Sequence, residues 1–319
     1  GGAGYIGSHT CKALARQGHT PVTLDNLVYG HEWAVKWGPF YQVDIQDKEE
    51  VLKVLLKEKI EAVIHFAAFA YVGESHQNPL KYYQNNVLGS MSLLEAMKNA
   101  NVLKFVFSST CASYGIPERT PIEETFPQEP INPYGRSKLI VEKILQDYAQ
   151  PFSFCSIALR YFNASGADAD LEIGEDHDPE THLIPLTLDA ALGRRKEITV
   201  FGTDYPTEDG TCVRDYIHVS DLAQAHVLAL ENLQEPGFEA FNLGTGKGAS
   251  VKQVISEVAA VTGREVPVVF GERRPGDPPA LVASGEKAMK KLKWSPQHSD
   301  LRNIISTAYH WQEKHFGKR

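Results

Sequence analysis

Short apolar runs alternate with longer amphipathic stretches through the first half of the chain. Residues 21–25, 61–66, 105–107 and 154–160 are brief, apolar and bounded by turn residues, the pattern of buried strands. Between them, residues 5–17, 47–58, 79–99 and 134–149 carry apolar side chains at helical spacing. Gly18 is placed to close the first helix and Asp47 to cap the second. In the third, Val87, Leu88, Met91, Leu94 and Met97 form the expected apolar face, with both methionines read as packing. Repeated strand–helix units predict an α/β protein with a Rossmann-type, doubly wound parallel sheet and right-handed crossovers. After Tyr161-Phe162-Asn163 the texture changes. A polar loop over 166–181 and a second over 205–214 separate helices expected at 183–192, 221–233 and 250–262 from short strands at 198–201, 240–243 and 267–270; two further helices end the chain. This predicts a smaller C-terminal α/β domain. The division falls at 1–163 and 164–319, with 215–243 returning to the first domain.

Candidate chemistry gathers at the strand ends. The chain opens Gly1-Gly2-Ala3-Gly4-Tyr5-Ile6-Gly7. Glycines at 1, 4 and 7 let backbone approach a pyrophosphate, and the helix after them adds free N–H groups and the positive end of its dipole. Asp25, at the end of the next strand, is placed to accept hydrogen bonds from an adenosine ribose. Its charge would repel a 2′-phosphate, so NAD is expected in preference to NADP. Asp44-Ile45 sits at a further strand end, where a carboxylate and an apolar side chain suit an adenine edge, and the small residues after Phe66 allow close approach at Ala67. His65, inside an apolar run, reads as a hydrogen-bonded core histidine. A fingerprint of this kind follows a buried strand; nothing precedes Gly1, so a short segment ahead of it is expected.

Asn132-Pro133-Tyr134-Gly135-Arg136-Ser137-Lys138 reads as a helix start that sets Tyr134 and Lys138 one turn apart on one face. A neighbouring positive charge favours phenolate, so Lys138, with an oxidised nicotinamide close by, is expected to lower the Tyr134 pKa and make it a base for a sugar or alcohol hydroxyl. Ser108-Ser109-Thr110 lies at the carboxyl end of a strand, where ligands of open α/β sheets bind, and completes a plausible proton relay.

Composition narrows the field. A net charge of −8 without a basic block argues against nucleic acid as a partner. No apolar run approaches the ~20 residues of a membrane span. Cys11, Cys111, Cys155 and Cys212 are widely spaced with no Cys-x-x-Cys, which argues against structural zinc and a disulfide scaffold and fits a reducing cytoplasm. Glu175, Asp176, His177 and Asp178 hint at a metal site, but neighbours in a loop do not readily converge on one ion; a solvated loop, with no metal, is the expectation.

In order along the chain, Gly-Gly-Ala-Gly-Tyr-Ile-Gly-Ser-His-Thr, Leu-Asp-Asn-Leu, Val-Ile-His-Phe-Ala-Ala, Pro-Tyr-Gly-x-Ser-Lys, Leu-Arg-Tyr-Phe-Asn and Val-Arg-Asp-Tyr-Ile-His-Val resemble the UDP-glucose 4-epimerases, extended short-chain dehydrogenase/reductases. The resemblance spans essentially the whole chain. It implies a tightly held, recycled NAD, a UDP-sugar substrate, a homodimer formed through helices 79–99 and 134–149, and a 4-keto sugar intermediate. It assigns Tyr134 as base, Thr110 as relay and Lys138 as the residue that tunes Tyr134. The implied cofactor residues are Gly1, Gly4, Tyr5, Ile6, Gly7, Asp25, Asn26, Asp44, Ile45, Phe66, Ala67, Asn85, Ser108, Tyr134, Lys138 and Tyr161. The implied UDP-sugar residues are Thr110, Tyr134, Asn163, His182, Leu183, Phe201, Arg214, Arg274, Asp277 and Leu281.

Departures from the pattern bear on the substrate. Ala70 stands where some relatives carry lysine, and His182 where others have asparagine. Leu281 replaces a bulky tyrosine of some relatives, leaving room for a 2-acetamido group and hence UDP-N-acetylglucosamine. The run around Thr110 and Tyr134 is also similar to UDP-arabinose 4-epimerases. A dehydratase is disfavoured, because Cys111-Ala112 follow Thr110 where elimination needs an acid and a base. A non-catalytic NAD-sensing protein would have little need for Thr110, Tyr134 and Lys138 together.

Overall fold

The structure, a computed structural model, describes residues 1–274 and 277–317. Strands β3 (Ala62–His65), β4 (Lys104–Ser108) and β5 (Cys155–Arg160) run parallel, with Gly237–Asn242 added in parallel beside β5. β1 (Thr23–Asp25) and β2 (Phe40–Gln42) form a separate parallel pair. Gly1 lies between the two groups: its amine donates to Leu24 O at 2.6 Å, and a Cβ added there would meet Ala67 N at 2.3 Å.

Alternation along the central strands divides the core in two. Val106, Ile157 and Leu159 face one way, against Leu222, Ala225 and Ala229 of the helix Val219–Glu231. Phe105, Phe107 and Ala158 face the other, against α2 (Lys48–Lys57), α5 (Gly89–Asn99) and α6 (Pro133–Phe152). Both faces are therefore covered by helices, as a parallel sheet requires. α1 (Tyr5–Arg16) packs on the first face beside Val219–Glu231. Asp47 caps α2 by accepting from Glu50 N, as its position predicts.

The stretch 79–99 departs from a simple helix. After α3 (Val72–Gln77), it runs as α4 (Pro79–Tyr82), a π turn over Tyr83–Leu88, and α5. The wider turn shifts the register of α5. Leu93, Leu94 and Met97 reach the core, whereas Leu88 and Met91 are 56% and 40% exposed. Two of the five residues expected on the apolar face thus point outward, and Met91 is not a packing residue.

The remaining chain packs helices Leu183–Ala191, Val251–Thr262 and Leu301–Phe316 around Ile184, Leu188, Val254, Val258, Ile304 and Ile305. Ser250 caps its helix in a reciprocal box with Gln253. Ile198–Phe201 pairs in parallel with Val268–Gly271. Val213–Arg214 is the middle of a small sheet, flanked by Ala249–Ser250 and Ala280–Leu281. Among the described residues, no helix is long and apolar enough to cross a membrane.

Candidate active site

One cavity of about 1560 Å³ runs from the glycine loop, past the end of β4, to the segment around Arg214. At its centre stands the first turn of α6. Asn132 caps that turn by accepting from Gly135 N at 2.7 Å, and Pro133 occupies the first helical position. Tyr134 and Lys138 come next, on the cavity side. Gly135 permits the approach of α6 to the loop after β4: a Cβ there would lie 2.7 Å from Ala112 O. Thr110 ends β4's strand-to-loop turn, where its hydroxyl accepts from Ala112 N at 3.0 Å and works to lower the pKa of the Tyr134 phenol.

Beneath this group lies a buried polar floor. Lys138 Nζ donates to Ser108 O at 2.8 Å, and Ser108 Oγ meets Tyr161 Oη at 2.6 Å. Ser109 donates to Glu142, which also holds Arg160 through two hydrogen bonds. Arg160 in turn donates to Tyr114, and Tyr114 to Asn242. The sequence reading missed Glu142 and Arg160. The available signal was spacing: Glu142 stands one turn beyond Lys138 on the same helix.

Burial pushes the Tyr134 phenol up to about 12, with the Thr110 hydroxyl working against it. Burial also pushes the Lys138 ammonium down to about 7, opposed by Glu142. The polypeptide alone therefore does not lower the phenol pKa; the expected lowering includes a nicotinamide charge beside Lys138. The same desolvation that disfavours phenolate disfavours the ammonium meant to stabilise it.

At one end of the cavity, Gly1, Gly4, Tyr5, Ile6, Gly7, Asp25, Asn26, Ile45, Phe66, Ala67, Asn85, Ser108 and Tyr161 all lie on the wall. The first turn of α1 has no side-chain cap, and a Cβ at Gly7 would sit 2.2 Å from Gly1 O. Bare helix N–H groups behind a glycine cradle suit a pyrophosphate. Asp25 is fixed by Ala3 N and Leu27 N at 3.0 and 2.8 Å. These features fit NAD. Asp44 is not on the wall; it accepts from Asn26 and Gln46 instead. The π turn presents Asn85 to the cavity, while Asn86 clasps both backbone polar groups of Phe69 and donates to Ser137. His65 bonds Ser90 Oγ at 2.9 Å inside the core, as expected.

At the other end, Asn163, His182, Leu183, Phe201, Arg214, Arg274, Asp277 and Leu281 line the wall. Arg214 and Asp277 are paired with each other, and Arg214 also donates to Pro278 O. Arg274 lies over the Phe201 ring at 4.0 Å. Leu281 packs against the cluster of Cys111, Tyr114 and Ile122.

The loop before Leu183 corrects one expectation. Glu175 and His177 do converge, together with Glu180 and His182. Despite burial, the imidazoles of His182 and His177 hold Glu175 down to about 2. The same carboxylates raise His177 to about 10. His182 lines the large cavity while its Nδ1 meets Glu175 Oε1.

The model of the NAD dependent epimerase/dehydratase family matches residues 1–244. A UDP-glucose 4-epimerase of Rhizobium leguminosarum bv. trifolii is 54% identical over 315 residues, covering 98% of this chain and 96% of its own. A crystal structure of UDP-glucose 4-epimerase from Brucella ovis in complex with NAD has a TM-score of 0.95 at 55% identity, covering 98% of this chain and 96% of that one. The UDP-Glc/GlcNAc 4-epimerase from Campylobacter jejuni has a TM-score of 0.85 at 42% identity, covering 98% of each chain.

Proposed function

The chain belongs to the NAD dependent epimerase/dehydratase family, and we propose that it is an isomerase that interconverts UDP-galactose and UDP-glucose at C4 with NAD as its cofactor. The single observation that carries this is the meeting of Thr110, Tyr134 and Lys138 midway along a cavity with a glycine cradle at one end and arginines at the other. Residues 1–163, with 215–243, hold the cofactor, and 164–319 hold the nucleotide sugar. Bound NAD supplies reversible removal and return of hydride at the sugar C4.

The residues supply the proton chemistry and the positioning. Tyr134 Oη takes the proton of the C4 hydroxyl as that carbon is oxidised, and gives it back when the carbon is reduced. Thr110 passes the proton when the hydroxyl does not reach Tyr134 directly. Lys138 must be charged to stabilise the phenolate. The positive field that the polypeptide alone lacks would come from an oxidised nicotinamide held close to Tyr134 and Lys138. The 4-keto sugar turns over in the cavity while its nucleotide stays fixed; remote binding energy retains the intermediate. Arg214 and Arg274 are the diphosphate donors and Asp277 the ribose acceptor, so the Arg214–Asp277 pair opens on binding.

A second substrate is favoured by one observation. Leu281 borders the cavity with an aliphatic side chain, which leaves room for the 2-acetamido group of UDP-N-acetylglucosamine. The protein acts as a homodimer through exposed apolar residues of α4–α6, and its four free cysteines suit a reducing cytoplasm. Tyr134→Phe tests the mechanism: with NAD retained, epimerisation falls by about 10²–10⁴-fold. Unchanged activity would remove Tyr134 from its role.

A further inference from the structure

The convergence of Glu175, His177, Glu180 and His182 has no part in the chemistry above. All four come from one eight-residue stretch with the spacing Glu-x-His-x-x-Glu-x-His. Their nearest ligand atoms lie within 4.8 Å of one another. Four-coordinate zinc binds nitrogen and carboxylate oxygen at ~2.0–2.2 Å, which places neighbouring ligand atoms roughly 3.3–3.5 Å apart. Here His177 Nδ1 is 3.1 Å from Glu175 and 3.6 Å from Glu180, and His182 Nδ1 is 3.4 Å from Glu180. Of the four His–Glu distances, only His182 Nδ1 to Glu175 at 2.5 Å is a hydrogen-bond length that must open.

Three further observations point to a cation. First, His177 Nδ1 is buried yet makes no directed hydrogen bond. Second, the carboxylate of Glu180 is oriented by the loop's own backbone, Oε1 accepting from Thr181 N and His182 N, and the Glu175 backbone carbonyl is fixed by Trp311 Nε1. Such supports are the usual companions of metal ligands. Third, a separate surface pocket of about 790 Å³ reaches Glu175, His177 and Glu180. Asp176, Asp178, Asp189 and Glu313 border it against Arg194 and Arg264, so the entrance carries an excess of negative charge among the described residues.

We infer that Glu175, His177, Glu180 and His182 form a binding site for a divalent transition ion of the zinc class. Two imidazoles exclude Mg²⁺ and Ca²⁺, which take oxygen ligands. With both imidazoles neutral, one divalent ion balances the two carboxylates. The site is structural. Its ligands lie in the wall of the large cavity, where His177, Glu180 and His182 border the ligand space just ahead of Leu183. On its outer side, the loop is tied to the last helix by Trp311 and by His315 to Asp176. An ion there clamps the wall without touching the reacting carbon.

The test uses tag-free protein with its NAD, dialysed against chelator and titrated with Co²⁺ alone. We expect uptake of one ion per chain with the visible bands of four-coordinate Co²⁺, displacement by Zn²⁺, and no displacement by Mg²⁺. His177→Gln and His182→Gln each weaken uptake by about tenfold or more. X-ray absorption of the zinc-loaded wild type serves if a variant fails to fold, and two imidazoles with oxygen ligands at ~2.0–2.2 Å are expected. Absence of stoichiometric uptake by the wild type, uptake unaffected by both substitutions, or a first shell without imidazole would each overturn the site and leave an ion-pair knot only.

Discussion

Lys138 shows most clearly how the site trades stability for chemistry. Its ammonium falls from an ordinary 10.5 to about 7 on burial, and each pH unit of that displacement costs about 1.4 kcal/mol when the group is charged. The unfolded chain binds this proton more tightly than the folded one. The penalty is therefore full below pH ~7 and fades as pH rises toward ~10. Lys138→Met should raise the thermal midpoint of NAD-free protein at pH 6, raise it less at pH 9, and abolish epimerisation at both. An equal shift at the two pH values would contradict a buried-charge penalty. That Tyr134 and Lys138 share one helix face beside the cavity was legible from residue types at helical spacing. Their electrostatics were not, because the sequence does not reveal how completely the pair is desolvated. For the same reason Glu142 and Arg160 escaped notice. A buried pair looks like two surface charges until the fold closes over it. Glu142→Ala, which strands Arg160, should cost about 3–5 kcal/mol in urea unfolding.

Among the elements, α6 and the loop after β4 decide whether Thr110 and Tyr134 can cooperate, and Gly135 sets their separation. Gly135→Ala places a methyl 2.7 Å from Ala112 O. The helix start must move, and activity should fall on the order of tenfold to a hundredfold while NAD content and far-UV circular dichroism stay unchanged. Wild-type activity in that variant would show that the approach is not limiting. The strand–helix alternation and the cap at Asp47 could be read in advance, because each rests on a local pattern or a single side chain. The π turn over Tyr83–Leu88 could not. It arises where Asn86 is pulled in to hold Phe69 and Ser137, a tertiary demand that local propensity does not encode. The two-residue strands of the second half are equally silent, since neither period nor composition marks a pair of residues.

Across the whole molecule, the glycine cradle, the tyrosine and the arginines come from distant parts of the chain and meet in one cavity. The exposed apolar residues Leu80, Leu88, Met91, Ile140 and Phe152 lie on helices α4–α6 and the turn between them. If these form the proposed dimer face, Leu88→Glu combined with Ile140→Glu should shift light scattering from a dimer mass to a monomer mass. A mass unchanged from wild type would place the contact elsewhere. Which residues share the cavity was largely readable from motif order. Asp44 is off the wall, since its carboxylate is claimed by Asn26, a neighbour that only the fold brings near.

The most direct test of 4-epimerisation is proton NMR of the purified protein with UDP-galactose and no added cofactor. Conversion to a stable mixture containing UDP-glucose is predicted, driven by NAD that travels with the protein. Absence of any conversion after NAD is added, in protein shown to be folded and NAD-loaded, would contradict the proposed function.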